Sequence, residues 1–250
     1  MRLGATFFAL CSASLGLFVA APAVPAPVSP VQLVEARSSQ CPPTSGCYRD
    51  TYLRGTVEVQ NLAYAKSVGV AYKATYSGAW ATAQASYLAP SNGGKELWAF
   101  DVPVAATQFA VFYTVNGQTS WDNNGGADYH VAPYAFDALL TYPAITEAQG
   151  MRSADGATLT GTVLVKNLSY EKTIQVVYTD DDWVTVKQAP AAFYYTFPSG
   201  AEWWSYSLPV SASASESKIH MAFRYAHAGG EDWDNNYGHN YHVRSGLIAR

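Results

Sequence analysis

The chain repeats itself, and the repeat limits what it can become. The twelve residues GTVEVQNLAYAK, Gly55 to Lys66, recur as GTVLVKNLSYEK, Gly161 to Lys172, with 8 of 12 positions identical. A second pair, SWDNNGGADYHV (Ser120 to Val131) and DWDNNYGHNYHV (Asp232 to Val243), also agrees at 8 of 12. Two ordered matches mean that one structural unit is built twice, so each half must form the same fold around its own core. The offset grows from 106 residues at the first match to 112 at the second. The six residues of difference therefore fall between the motifs, where loops absorb changes of length.

Within each copy the apolar residues alternate. The first copy shows Val57/Val59, Val68/Val70/Tyr72, Trp98/Phe100/Val102 and Phe109/Val111/Tyr113/Val115; the second answers with Val163/Val165, Ile174/Val176/Tyr178, Trp204/Tyr206/Leu208 and Met221/Phe223/Tyr225. A period of two is strand periodicity, and no helical pattern runs beyond two turns. Short strands punctuated by Asn-Gly, Ser-Gly and Gly-Gly pairs predict an all-β chain of two tandem antiparallel β-sandwiches, each of about 100 residues. An apolar segment precedes each Gly-Thr-Val strand, at Val31 to Val34 and at Ala144 to Ala148. The modules are accordingly placed at residues 28–135 and 136–250, with a short connection near Ala132 to Tyr142 that keeps them close.

Residues 1–23 have the pattern of a secretory signal: Arg2, an apolar stretch from Ala5 to Ala20, then small residues at Ala20, Ala21 and Ala23. A secreted, extracellular protein is expected. Cys11 leaves with the signal, so Cys41 and Cys47 remain, with five residues between them in CPPTSGC. That spacing suits neither a redox Cys-x-x-Cys nor a metal site, and in an oxidising compartment it predicts a small disulfide-closed loop. A formal net charge of −4 argues against nucleic acid and anionic membranes as partners. Beyond the signal, no apolar run is long enough to span a bilayer.

Enzyme readings find little support. There is no Gly-x-Ser-x-Gly elbow, and the histidines (130, 220, 227, 239 and 242) lack His-Glu-x-x-His spacing. The run Asp180, Asp181, Asp182 has no counterpart in the first copy, and a solvated loop is its simplest reading. No catalytic residue, metal or cofactor is expected. The repeated Trp-Asp-Asn-Asn is more suggestive. A sugar ring has an apolar C–H face that packs on an aromatic ring and a rim of hydroxyls that amides can chelate. Trp121 with Asn123 and Asn124, and Trp233 with Asn235 and Asn236, suit such a ligand. The same residues also make a good hairpin turn with the tryptophan folded back onto the core, and the sequence alone leaves both readings open.

Taken together, QNLAYAK and KNLSYEK, the fourth-strand tryptophans and WDNNxGxxYHV give both copies a resemblance to the family 21 carbohydrate-binding module. That is the starch-binding type found beside fungal glucoamylases and in glycogen-targeting phosphatase subunits. The resemblance covers nearly the whole chain after the signal. It implies an immunoglobulin-like sandwich, no catalysis by the module, and α-1,4-glucan binding at two aromatic sites per module. Its first site corresponds to Trp80 with Trp121 and to Trp183 with Trp233, although a third aromatic of the family is replaced by Ala110 and Ala222. Its second site corresponds to Tyr64, Lys66 and Tyr87, and to Tyr170 and Lys172 with either Phe193 or Tyr194. Trp98 and Trp204 match the family's core tryptophan. Asn167 is the only N-x-Ser/Thr glycosylation acceptor.

The resulting expectation is a monomeric, non-catalytic, secreted fungal protein that binds starch or glycogen through both modules. A lectin for another polysaccharide, such as chitosan or a wall β-glucan, is the alternative. The phosphatase-targeting branch is disfavoured by the signal peptide and by the lack of a basic-Val-x-Phe docking segment.

Overall fold

The computed structural model describes residues 29–40, 51–75, 77–104, 106–132 and 136–249. The proposed signal and the Cys41/Cys47 loop lie outside them. The alternating stretches fold as strands, and among the described residues the helical content is confined to three-residue 3-10 turns.

The first module contains β1 (Val31–Ser39), β2 (Tyr52–Gln60), β3 (Lys66–Lys73), β4 (Ala81–Gln84), β5 (Ser86–Ser91), β6 (Lys95–Val102), β7 (Gln108–Val115), β8 (Gln118–Asp122), β9 (Tyr129–His130) and β10 (Phe136–Leu140). One sheet runs β10-β1-β2-β6-β5 and the other β4-β3-β7-β8, with β9 beside β7. The second module repeats the plan with β11 (Ile145–Arg152), β12 (Thr158–Val165), β13 (Lys172–Thr179), β14 (Lys187–Pro190), β15 (Ala192–Thr196), β16 (Glu202–Pro209), β17 (His220–His227), β18 (Gly230–Asp234), β19 (Tyr241–Arg244) and β20 (Leu247–Ala249). Every pairing is antiparallel. In this module the β19–β20 hairpin joins the two layers through β11 into one continuous ladder. The architecture is thus two tandem immunoglobulin-like antiparallel sandwiches.

Each core is the inward half of the alternation. Val57, Val68, Val70, Phe100, Phe109, Val111 and Tyr113 meet in the first module, and Val163, Ile174, Val176, Tyr206, Leu208, Phe223 and Tyr225 in the second. The glycine of each Gly-Thr-Val has a steric reason. Gly55 lies opposite Phe100 across the β2–β6 ladder, and a Cβ there would sit 2.5 Å from the Phe100 ring and 2.6 Å from the Glu35 carbonyl oxygen.

The boundary between the modules differs from the sequence expectation, which began the second module at Phe136. Residues 136–140 form β10, which pairs with β1 from Glu35↔Leu140 to Ser39↔Phe136. It takes the place beside β1 that β20 takes beside β11, so by hydrogen bonding it is the last strand of the first module. Its side chains nevertheless reach the second. Ala138 is buried with Ala148, Leu164, Phe197 and Ala201, and the Phe136 ring packs on Phe197 (5.3 Å between centroids) and Trp203 (5.0 Å). Arg37 of β1 donates to the Ala148 carbonyl at 2.6 Å, and the Ser199 N–H donates to the Asp137 carboxylate at 3.1 Å. Residues 136–140 are therefore a packed strap rather than a free linker.

Candidate functional site

The Trp-Asp-Asn-Asn segment closes each module's last large hairpin. The β7–β8 turn uses Asn116 and Gly117, both at positive φ (52° and 74°), as a two-residue hairpin demands. Counting back from that turn places Trp121 opposite Phe112; their rings lie 5.4 Å apart, and Trp121 is 49% exposed. Trp233 is 50% exposed, and its indole N–H donates to Glu231 at 2.5 Å. The adjacent aspartates face inward. Asp122 accepts the Leu33 N–H (2.7 Å) and the Tyr129 hydroxyl (2.9 Å); Asp234 accepts the Glu147 N–H (2.9 Å) and the Tyr241 hydroxyl (2.6 Å). Each acceptance falls where the first strand of its module slips register, so the carboxylate satisfies a donor at the bulge and ties the hairpin to the opposite sheet.

The asparagines build the turns, a structural role beside the hydroxyl contacts expected of them. Asn123 Oδ1 accepts the Gly126 N–H and Asn235 Oδ1 the Gly238 N–H. Asn124 and Asn236 donate through Nδ2 to the carbonyls of Asp128 and Asn240. Asn236 is buried outright, whereas Asn235 stays exposed. The tryptophan, not folded back, is the group presented to solvent.

Trp80 and Trp183 occupy the loops after β3 and β13. The Lys73 ammonium lies 5.0 Å from the Trp80 ring centroid. Trp183, at φ 65°, stacks on His220 at 6.2 Å and 14°, and His220 Nε2 is 3.2 Å from Asp182. Thr179 Oγ1 accepts the Trp183 N–H at 3.0 Å and donates to Asp181 at 2.7 Å. Hydrogen bonds from the Thr179 hydroxyl, then from the Thr185 N–H and hydroxyl, pull the Asp181 carboxyl down to about 2. Asp180 pairs with Lys187 at 2.6 Å and accepts the Ser211 N–H. The acidic run thus shapes the loop that holds Trp183. Among the described residues Trp80 makes no ring contact with Trp121, nor Trp183 with Trp233. Ala110 and Ala222 are buried in their strands. Phe112 and His220 were not singled out from sequence, although hairpin counting from Asn116-Gly117 leads to Phe112.

A second pair of aromatics sits on the loops before β3 and β13. Tyr64 and Tyr170 are fully exposed. Lys66 reaches back to Asn61 (2.6 Å) and Glu96 (2.8 Å), and Glu96 also accepts the Trp98 indole N–H (3.1 Å). Lys172 does the same with Asn167 (2.6 Å) and Glu202 (2.8 Å), and Glu202 accepts from Trp204 (2.9 Å). Both lysine side chains are only 5% exposed. This corrects the expected donation to ligand hydroxyls: the ammonium is turned inward, and the Asn-Leu-x-Tyr-x-Lys motif is a clamp that leaves its tyrosine outside. Asn167 is exposed, with its Oδ1 held by Lys172. Tyr87 stands edge-on to Trp98 at 5.9 Å and Phe193 edge-on to Trp204 at 5.8 Å. The matching registers, Tyr87↔Trp98 and Phe193↔Trp204, make Phe193 rather than Tyr194 the counterpart of Tyr87. Trp98 and Trp204 pack against the cores.

Half-exposed indoles and fully exposed phenols beside hydrogen-bonding groups offer stacking without a concentrated charge, which suits a neutral ligand with apolar faces. Among the described residues no cluster of three or more His, Cys, Asp or Glu is arranged to hold a metal, and no helix is long and apolar enough to cross a membrane.

The model of the carbohydrate/starch-binding module (family 21) matches residues 35–132 and again 144–244. Protein phosphatase 1 regulatory subunit 3C of Bos taurus is 37% identical over 90 residues, 34% of this chain and 28% of that protein. Glucoamylase 1 of Rhizopus oryzae is 37% identical over 91 residues, 34% of this chain and 15% of that protein. The chain therefore spans less than a third of either relative. The solved starch-binding domain of Rhizopus oryzae glucoamylase, in complex with β-cyclodextrin and maltoheptaose, is 31% identical. That alignment covers 44% of this chain and 99% of that one, with a TM-score of 0.34.

Proposed function

Since the chain belongs to the family 21 carbohydrate/starch-binding modules, carrying two copies in tandem, we propose that it is a secreted, non-catalytic protein that binds starch-like or glycogen-like α-1,4-glucan with both modules. The observation that carries this reading is the duplicated presentation of aromatics. Each module offers a half-exposed tryptophan on its Trp-Asp-Asn-Asn turn and a fully exposed tyrosine on a clamped loop. A relative named as a glucoamylase supports the class of ligand. The leader-like residues 1–23 support secretion.

Single sugar sites are weak, but one polymer engaging two linked modules gains from the high effective concentration of the second site. The test is depletion of the protein by insoluble starch, chitosan and β-glucan in parallel. The Trp80→Ala/Trp183→Ala and Trp121→Ala/Trp233→Ala variants serve as controls. Retention on starch that these variants lose, with no release of reducing sugar, is the expected outcome. Retention only on chitosan or β-glucan would transfer the function to another polysaccharide, a change the small residues Ala110 and Ala222 would favour.

A further inference from the structure

The two Trp-Asp-Asn-Asn turns are not equivalent. The first is followed by Gly125 at φ 68°, where an added Cβ would meet nothing within 4 Å. The second carries Tyr237 in the same left-handed conformation, φ 56°, which an aromatic residue adopts only under strain. The tyrosine is not idle there. Its hydroxyl meets that of Tyr142, in the connection between the modules, at 3.1 Å. The two phenols wall a cleft of about 330 Å³ that opens beside Trp233 and is lined from the first module by Val34 and Asn92. The volume lies in the ~300–1,000 Å³ range of small-ligand sites.

The lining has the chemistry of a sugar subsite. Trp233 contributes an indole that is half exposed, Asn235 an exposed amide, and Asn92 a second amide from the opposite wall. Asp232 and Asp234 are the charged residues of the lining. Asp234 is occupied by the Glu147 N–H and the Tyr241 hydroxyl, and Asp232 by His227. Among the described residues no cation lines the cleft, which disfavours an anionic ligand. We propose that this cleft is a glucan subsite belonging to the pair of modules rather than to either alone, with Trp233, Asn235, Tyr237, Tyr142 and Asn92 holding consecutive glucosyl units where the chain passes between them. The proposal rests on the α-glucan reading above. It makes the second module's turn the stronger of the two, although both share the same motif.

The experiment titrates the whole chain with maltoheptaose and follows the indole N–H resonance of Trp233, assigned with a Trp233→Phe variant, so that this site is read separately from the others. Tyr237→Gly restores the residue of the first module and relieves the backbone, so the melting temperature should hold or rise. The affinity read at Trp233 should fall by about 3- to 10-fold, the size of one lost aromatic contact. Asn92→Ala, in the other module, should lower the same affinity while leaving the Trp121 resonance unaffected. Unchanged affinity at Trp233 in both variants would overturn the subsite while leaving the α-glucan function standing. So would a Trp233 resonance that ignores maltoheptaose while the other tryptophans respond. If no resonance responds in the unaltered chain, the function and the subsite fall together.

Discussion

Replacing Lys172 with methionine keeps the aliphatic stem and removes only the ammonium. In the native fold that ammonium is 2.8 Å from Glu202 and 2.6 Å from Asn167, and the two charged side chains are 5% and 7% exposed. Without it the Glu202 carboxylate remains buried with the Trp204 indole as its one other side-chain donor among the described residues. Breaking a buried pair from one side costs about 3–5 kcal/mol because a charge is left uncompensated. Lys66→Met should cost less, because its partner Glu96 is more exposed, at 15%. Adding Glu202→Gln to Lys172→Met should recover part of the loss, since the neutral amide can still accept from Trp204 and about 1–2 kcal/mol is typical of the hydrogen bonds that remain missing. The assay is urea denaturation of the whole chain, followed by tryptophan fluorescence. A Lys172→Met loss below about 1 kcal/mol, the range of exposed ion pairs, would refute the reasoning. A double variant no more stable than the single one would refute it equally.

The loop around Trp183 should respond to acid. The folded carboxyl of Asp181 titrates near 2 against an ordinary 3.8, so the unfolded chain binds more protons between these values. Its stabilisation is complete above about pH 4 and is lost as the pH falls towards 2; Asp181→Asn should flatten that part of the stability profile measured by thermal unfolding. Gly55→Ala should destabilise the first module by about 1–3 kcal/mol, as overpacking does, because the new methyl meets the Phe100 ring at 2.5 Å. A calorimetric melting temperature equal to that of the unaltered chain would contradict this.

Much of the fold could be read from alternation, because an antiparallel sandwich buries one face of each strand and the inward residues of β2, β3, β6 and β7 declare themselves at every second position. The aromatics also stand where the motifs place them, with Trp121, Trp233, Tyr64 and Tyr170 all exposed. The polar residues between them were harder to assign. Lys66 and Lys172 have the composition of ligand donors, but their acceptors, Glu96 and Glu202, are 30 residues away in sequence. Nothing local announces such a pair. The turn asparagines illustrate the opposite case, in which the local chemistry was visible in the sequence and is used first to build the turn. The boundary at Phe136 was missed because β10 satisfies two demands at once, offering backbone to the first module and side chains to the second.

That double role has a consequence for how the chain is made. Domains form from the N-terminus as synthesis proceeds at about 5–20 residues per second, yet the first sheet cannot close until residue 140 has emerged. Until then β1 presents an unpaired edge rich in Val, Leu and Ala, the kind of edge that recruits strands from other chains. A ribosome that stalls after Val131 leaves a module holding every aromatic of its own sites but an open border. Nascent chains truncated before β10 should therefore aggregate or cross-pair, whereas chains released a few residues later should not.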